Sequence, residues 1–365
     1  MKTNVLYYGD NLQILRDHIP DESVDLIYLD PPFNSNRNYN VLFKETTGAG
    51  SEAQIEAFED TWHWGPSAQA AYEEVITGKH QIVARMLQAM VEGIGHNDVT
   101  AYLTMMAIRL VELHRILRPT GSIYLHCDPT AGDYLKVLMD SVFGPKNFRN
   151  QIVWKRSHPH GNVTRKFGAI HDLILFYSKD TTSAVWNQPA IPHDLSDPKT
   201  RKQYNRWDEK RQDWWQPTSL LNPNPNRPNL TYKFHGHTKV WRWTKERMLQ
   251  ADEDGLIYVP PDGGIPRFMR FLGDQRGLLI QDVWDDIEPV SSTEDLGYDT
   301  QKPVELLERI IYASSNPGDV ILDPFCGCGT AVHAAQKLDR RWARLPSPRR
   351  LRRKNLRNNL RCRLR

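Results

Sequence analysis

The sequence predicts an α/β fold with a parallel sheet buried between helices, and three observations predict it. The N-terminus reads strand, helix, strand: "NVLYY", an amphipathic stretch from about Asn11 to His18, then "VDLIYL". Near the other end, "DVILDPFCGCGTAVHAAQKL" reads strand, glycine turn, helix. Three apolar strands each end in a carboxylate: Asp10 after Gly9, Asp30 and Asp323. Apolar, β-branched strands joined through helices imply parallel strands covered on both faces.

The elements follow in order. Helical texture runs from Ser51 to Leu117. Its clearest part carries Leu103, Met106, Ala107, Leu110, Leu113, His114 and Leu117 at spacings of three and four, and Pro119 stops it. "GSIYLHCD" then reads as a strand. From about Asn150 the texture changes. Seven of the eleven tryptophans lie between Trp154 and Trp243, and proline and asparagine cluster in "LNPNPNRPNL". This reads as a separate, partly β module. From Gly264 a loop-rich connection returns to α/β texture, with "KPVELLERIIYASS" a helix that has Pro303 in its first turn. The expected division is 1–150 (with a helical insertion at about 45–117), 151–263 as the inserted module, 264–342, and a tail at 343–365.

Charge is uneven. The net of +3 combines +9 over 151–250, from 17 Lys+Arg and 8 Asp+Glu, with +10 over 343–365, leaving −16 elsewhere. A basic module in an otherwise acidic chain suits a polyanionic partner. No apolar run approaches the roughly 20 residues of a membrane span, and "MKTNVLYYGD" has no signal-peptide pattern. Four cysteines form no disulfide framework, and a reducing cytoplasm is the expected setting.

Gly327 and Gly329 let the backbone turn tightly and approach a ligand closely. No Lys-Ser/Thr follows them, so the loop is not a phosphate-gripping P-loop. Asp323 ends its strand where open α/β sheets bind ligands, and a carboxylate there suits a cation. At the other aspartate, "DPPF" places Phe33 beside Asp30 for stacking.

"DPPF" at Asp30–Phe33 resembles the catalytic motif of DNA amino-methyltransferases, which modify adenine N6 or cytosine N4. "DPFCGCGT" at Asp323–Thr330 resembles their cofactor loop, and "TQKPVELLERII" the helix before it. Catalytic motif, recognition module, cofactor loop is the circularly permuted β-type order of that family. "RPNLTY" and "WRWTKERM" are loosely similar to modification subunits of type III restriction systems.

The resemblance implies a Rossmann-like methyltransferase with an inserted target-recognition domain. It implies S-adenosylmethionine as cofactor, double-stranded DNA as substrate, and base flipping. Asp30 and the Pro31 carbonyl would accept hydrogen bonds from the target amino group. Pro31 and Pro32 would fix the backbone. Phe33 would stack on the base, worth roughly 1–3 kcal/mol. Asp323 would meet the cofactor's ammonium, with Phe325, Gly327, Gly329 and Thr330 forming its pocket. Asp10 would bond its adenine, and Lys302 its carboxylate. Adenine N6 is favoured over cytosine N4 because Asp in the motif is commoner in adenine enzymes. A homodimer and a restriction subunit are expected from the resemblance alone, as are a prokaryotic cytoplasm and association with the nucleoid.

Rival readings are an RNA or protein amide methyltransferase, and a DNA-binding relic. No cysteine follows a proline, which opposes covalent cytosine C5 chemistry. Cys326 and Cys328 alone are a weak metal signal, and the pairs His158/His160 and His235/His237, which could ligate a metal, suit phosphate, base or surface contacts better, so no metal is expected.

The relic reading comes from the C-terminus. After "LDRRW" the family continues with an apolar strand ending in an acid that binds the ribose. Here the chain reads "ARLPSPRRLRRKNLRNNLRCRLR", with nine arginines and no acid. Both the inner strand and the ribose ligand are expected to be missing, as in a frame-shifted gene end. A basic DNA-binding tail is the alternative.

Overall fold

A computed structural model describes residues 2–7, 9–32, 63–159, 161, 164–165, 167–298 and 300–345. The chain begins with β1 (Val5–Leu6), α1 (Asn11–His18) and β2 (Val24–Leu29). Helices α2 (Pro66–Thr77), α3 (Gln81–Ile94) and α4 (Asp98–Ile116) lead into β3 (Leu117–Cys127), α5 (Pro129–Phe143), β4 (Phe148–Lys155) and β5 (His171–Ser178). Next come β6 (Ala190–Ile191), α6 (Pro198–Gln203), β7 (Arg206–Asp208), β8 (Asp213–Ser219), β9 (Thr231–Phe234), β10 (His237–Val240), α7 (Lys245–Glu253), β11 (Ile257–Tyr258), β12 (Arg267–Phe271) and β13 (Leu278–Leu279). The chain returns through β14 (Val283–Trp284), α8 (Val304–Ser314), β15 (Val320–Asp323), α9 (Thr330–Lys337) and β16 (Arg341–Arg344).

Two compact units result: 1–188 with 281–365, and 189–280. The first is built on one eight-stranded sheet of order β1-β16-β15-β2-β3-β5-β4-β14. β1, β16, β15, β2 and β3 run parallel, and β5 is antiparallel to both β3 and β4. This is the doubly wound, Rossmann-like α/β architecture that the strand pattern predicts. From β15 the chain passes to β16 on one side, and from β2 to β3 on the other. The strand order therefore reverses between β15 and β2, and ligands of open α/β sheets bind at the carboxyl ends of such a pair.

Alternation along the strands sorts side chains between the faces. Ile27, Leu29, Ile123, Leu125, Leu175, Leu322 and Ala343 join the main core beneath α1 and α3–α5. Much of α4 is buried; Asn97 starts it with a reciprocal capping box to Thr100. Tyr28, His126, Asp323 and Arg344 occupy alternate positions and face the other side. There α8 is anchored by a 2.6 Å hydrogen bond between Tyr124 Oη and Ser314 Oγ.

Two expectations need correction. The inserted unit begins at Pro189, not 151, because "FRNQIVWK" and "HDLILFYS" extend the main sheet. Between 189 and 280 there are 15 Lys+Arg and 11 Asp+Glu, a net of only +4. Nor is the inner strand missing. β16 lies between β1 and β15, with Val5 opposite Ala343 and Leu322 opposite Ala343. A strand paired on both sides satisfies its backbone whatever side chains it carries, and Ala343 and Leu345 still supply the buried face. Residues 346–365, the rest of the basic tail, lie outside the described residues.

The second unit carries a four-stranded sheet, β11-β12-β8-β7, and the hairpin β9–β10. Trp241 is fully buried with Leu220, Phe234 and Met248. Trp215, Met269 and Phe271 form a second cluster. Arg206 stacks over Trp215 and Tyr258, and Arg247 over Trp243. Several of the module's aromatics and arginines thus hold the module together.

Candidate active site

A pocket open to solvent lies at the switch point. Tyr28, Asp30, Lys302, Asp323, Phe325, Gly327, Cys328 and Thr330 are among its lining. Asp30 and Asp323 are far apart in sequence, and pairing of Ile27 with Leu322 brings their strand ends together. Pro31 is buried and Pro32 partly so; Phe33 lies outside the described residues.

The glycine turn is held by an Asx contact and a tight backbone bond. Phe325 N–H donates to Asp323 Oδ1 at 3.0 Å, and Gly329 N–H to the Cys326 carbonyl at 2.7 Å. Gly329 has φ +95° and Gly327 φ +44°, both left-handed and suited to glycine. A Cβ on Gly329 would come within 2.7 Å of Arg344 Nη1. Thr330 Oγ1 lies 3.3 Å from Cys328 Sγ at the start of α9.

Asp323 is deeply buried, and burial pushes its carboxyl up to about 7 despite the Phe325 N–H and the Arg344 guanidinium; Asp30 adds to the rise. A pocket floored by a carboxylate that burial strains, ringed by a glycine turn and an aromatic side chain, fits a cationic ligand. Asp323, Phe325, Gly327, Gly329 and Thr330 would hold it.

Lys302 is placed differently from its expected role. Its Nζ lies 2.6 Å from Asp30 Oδ2, while Glu294 accepts the Val304 N–H at the start of α8. The ammonium is thus paired with a neighbouring carboxylate of the chain, and that helix end is already capped. Asp10 is not among the pocket residues. It caps α1 by accepting from Leu12 and Gln13 N–H, and pairs with Arg109 at 3.3 Å. Arg109 also donates to Asn11 at 2.7 Å, and Asn11 donates to the Pro324 carbonyl at 3.1 Å. Asp10 therefore belongs to a network that steadies the glycine turn from behind.

Several residues of the site escaped the motif reading. Tyr298 and Thr300 line the pocket. Behind Tyr28, His126 and Asp172 are buried polar residues beside the apolar runs of their strands. That anomaly was the available signal, because a buried polar group in a sheet needs a partner. Arg344 had no such signal. Its Nε lies 3.0 Å from Cys326 Sγ, and its Nη2 is buried without a hydrogen-bond partner among the described residues.

Among the described residues no cluster of His, Cys, Asp or Glu could hold a metal ion. His235 pairs with Asp252 at 2.7 Å and His237 with the Gly263 carbonyl at 3.0 Å; His160 lies outside the described residues. No helix among the described residues is long and apolar enough to cross a membrane.

The chain is similar to DNA methyltransferases over most of its length. The type II methyltransferase M.EcaI of Enterobacter cloacae is 28% identical over 346 residues, 93% of this chain and 65% of its own. The StyLTI Mod subunit of a type III restriction-modification enzyme, from Salmonella typhimurium, is 27% identical over 355 residues, 92% of this chain and 50% of its own. The DNA adenine methyltransferase YhdJ of Escherichia coli is 24% identical over 329 residues, 90% of this chain and 73% of its own. The chain thus spans less than two thirds of the first two relatives. Residues 24–343 match the DNA methylase family of N6/N4 methyltransferases. With the match running from β2 into β16, across both strand-end aspartates and the glycine turn, this chain belongs to that family.

Proposed function

We propose that the chain transfers a methyl group from S-adenosylmethionine to adenine N6 in double-stranded DNA. One observation carries the reading: Asp30 and Asp323, from two distant motifs, line one pocket at the switch point of the sheet. Asp323 suits the cofactor's ammonium, with Phe325, the glycines and Thr330 around it. Asp30 suits the target amine. When bound, S-adenosylmethionine supplies an electrophilic methyl group on a sulfonium.

An exocyclic amine is a weak nucleophile because its lone pair is delocalised into the ring. Asp30 and the Pro31 carbonyl accept its N–H bonds, draw the nitrogen toward tetrahedral geometry and orient the lone pair. Lys302 holds the Asp30 carboxylate in place. The base reaches the pocket by flipping out of the duplex, with Phe33 stacking on it. The unit at 189–280 reads the site; its exposed Trp207 and its exposed Lys and Arg side chains suit contact with DNA. Adenine over cytosine is supported by Asp in the motif and by the likeness to YhdJ. The Mod-subunit relative supports a restriction subunit as partner.

The test is labelled methyl transfer to unmethylated DNA, followed by nucleoside analysis, for the wild-type chain and Asp30→Ala. Label in N6-methyladenine, lost in the variant with DNA affinity kept, is expected. Label in N4-methylcytosine would move the reading to cytosine. A second reading, a chain that binds DNA but transfers poorly, is favoured by Arg344 beside Asp323. Absence of transfer together with retained DNA binding would select it.

A further inference from the structure

Methyl transfer to an amine leaves a proton to remove, and Asp30 is already paired with Lys302 at 2.6 Å. The Lys302 ammonium thus already occupies one oxygen of that carboxylate. Beside it, on the same face of β2, stands Tyr28, buried but lining the same pocket. Tyr28 Oη lies 2.9 Å from His126 Nδ1 on β3. His126 Nε2 lies 3.0 Å from Asp172 Oδ2 on β5. The Arg156 guanidinium lies 2.9 Å from Asp172 Oδ1, an ion pair without hydrogen-bond alignment, and its side chain is 42% exposed. His126 is wholly inaccessible, its ring edge-on to Tyr28 and Trp154.

The hydrogen-bond directions follow from the chemistry. An ionised Asp172 only accepts, so His126 Nε2 carries a hydrogen. Burial alone would push Asp172 up, but its bond from His126 and the nearby cations Arg156 and Lys302 hold its carboxyl below the usual range. A hydrogen on Nε2 leaves Nδ1 as the acceptor of the ring, and the Tyr28 hydroxyl donates to it. The oxygen of Tyr28 is left free to accept. Burial and the nearby carboxylates Asp30, Asp323 and Asp172 push the phenol well above its ordinary range. Tyr28 therefore does not hold a negative charge and can only pass a proton on.

We propose that Tyr28, His126 and Asp172 form the proton relay that completes methyl transfer. The inference rests on the amino-methyltransferase reading. Once the new C–N bond has formed, an N–H bond of the methylated amine breaks and its proton moves to Tyr28 Oη. The Tyr28 hydroxyl proton moves at the same time to His126 Nδ1. The products are a neutral methylamino base and a His126 imidazolium paired with Asp172. After the base leaves, the proton returns through Tyr28 to water. The charged groups around the relay are Asp30, Asp323, Asp172, Arg156 and Lys302.

The experiment is single-turnover transfer with saturating cofactor and DNA at neutral pH, for the wild-type chain, Tyr28→Phe and Asp172→Asn. Tyr28→Phe keeps the ring and removes only the hydroxyl. Tyr28→Phe should slow transfer at least tenfold at neutral pH, with cofactor and DNA affinities within twofold. Asp172→Asn, with its melting temperature recorded, should slow transfer similarly because the imidazolium loses its counter-charge. Nitrogen NMR of labelled histidine, with His126 assigned by its loss in His126→Gln, should show Nδ1 unprotonated and shifted by Tyr28→Phe. A wild-type rate in Tyr28→Phe, or a proton on Nδ1, would overturn the relay. Transfer absent from the wild-type chain too would overturn the methyltransferase reading instead.

Discussion

Lys302 Nζ sits 2.6 Å from Asp30 Oδ2 across 272 residues of chain. The two side chains are only 13% and 19% exposed. Removing one partner of a buried pair leaves the other unpaired, which costs 3–5 kcal/mol in full burial and less with some water access. Lys302→Met and Asp30→Asn should each destabilise the fold by about 1–3 kcal/mol, and the double variant by less than their sum. A denaturant double-mutant cycle checks this. Strict additivity would mean that the pair carries no coupling.

Asp323 predicts a pH-dependent stability difference. Its carboxyl is raised from 3.8 to about 7, so the folded state holds that proton more tightly than the unfolded chain. The resulting stability is full below the unfolded value and lost as pH rises through 7. The penalty at pH 8 is at most about 4 kcal/mol. Asp323→Asn cannot ionise, so its advantage over the wild-type chain should grow between pH 5 and pH 8. Urea unfolding at both values measures it; a gap that ignores pH would contradict the burial argument.

Arg344 bears on cofactor affinity. Its guanidinium partly offsets Asp323, the carboxylate assigned to a cationic ligand. Repulsion between two cations near one carboxylate is on the order of 2 kcal/mol at an effective dielectric of about 20. Arg344→Met should therefore tighten S-adenosylmethionine binding roughly tenfold at pH 8. Titration calorimetry decides it. Unchanged or weaker binding would make Arg344 a bystander or a support of the glycine turn.

Gly277 predicts which unit meets DNA. It has φ +114°, and a Cβ there would stand 2.1 Å from the Ile191 carbonyl oxygen, where β6 pairs with β13. Gly277→Ala should cost roughly 2–4 kcal/mol in strain and displaced pairing. Hydrogen exchange across 189–280 should rise and DNA affinity fall, with cofactor affinity kept. Loss of cofactor binding in a folded variant would oppose the division of labour.

The α/β class, α1 at Asn11–His18, the strands that end at Asp30 and Asp323, and the glycine turn were all legible in the sequence. Each is a local pattern: apolar runs, helical spacing, a carboxylate at a strand end, glycine where φ is positive. The boundary at Pro189 was not legible. "HDLILFYS" reads equally well as a strand of either unit, and only its pairing with β3 and β4 assigns it.

The site divides in the same way. Asp30, Asp323 and the loop glycines announce themselves because their chemistry is written beside them. Lys302 reads as a free cation until the tertiary structure sets it against Asp30. Asp10 reads as a ligand until Arg109 and the α1 N–H groups claim it. Tyr28, His126 and Asp172 come from three strands, and their order in the sheet brings them into one line. So the sequence determined which groups the candidate site has to draw on. The tertiary structure alone decided which of them are paired, buried or free, because hydrogen bonds and charge are set by neighbours in space, and those neighbours are far apart along the chain.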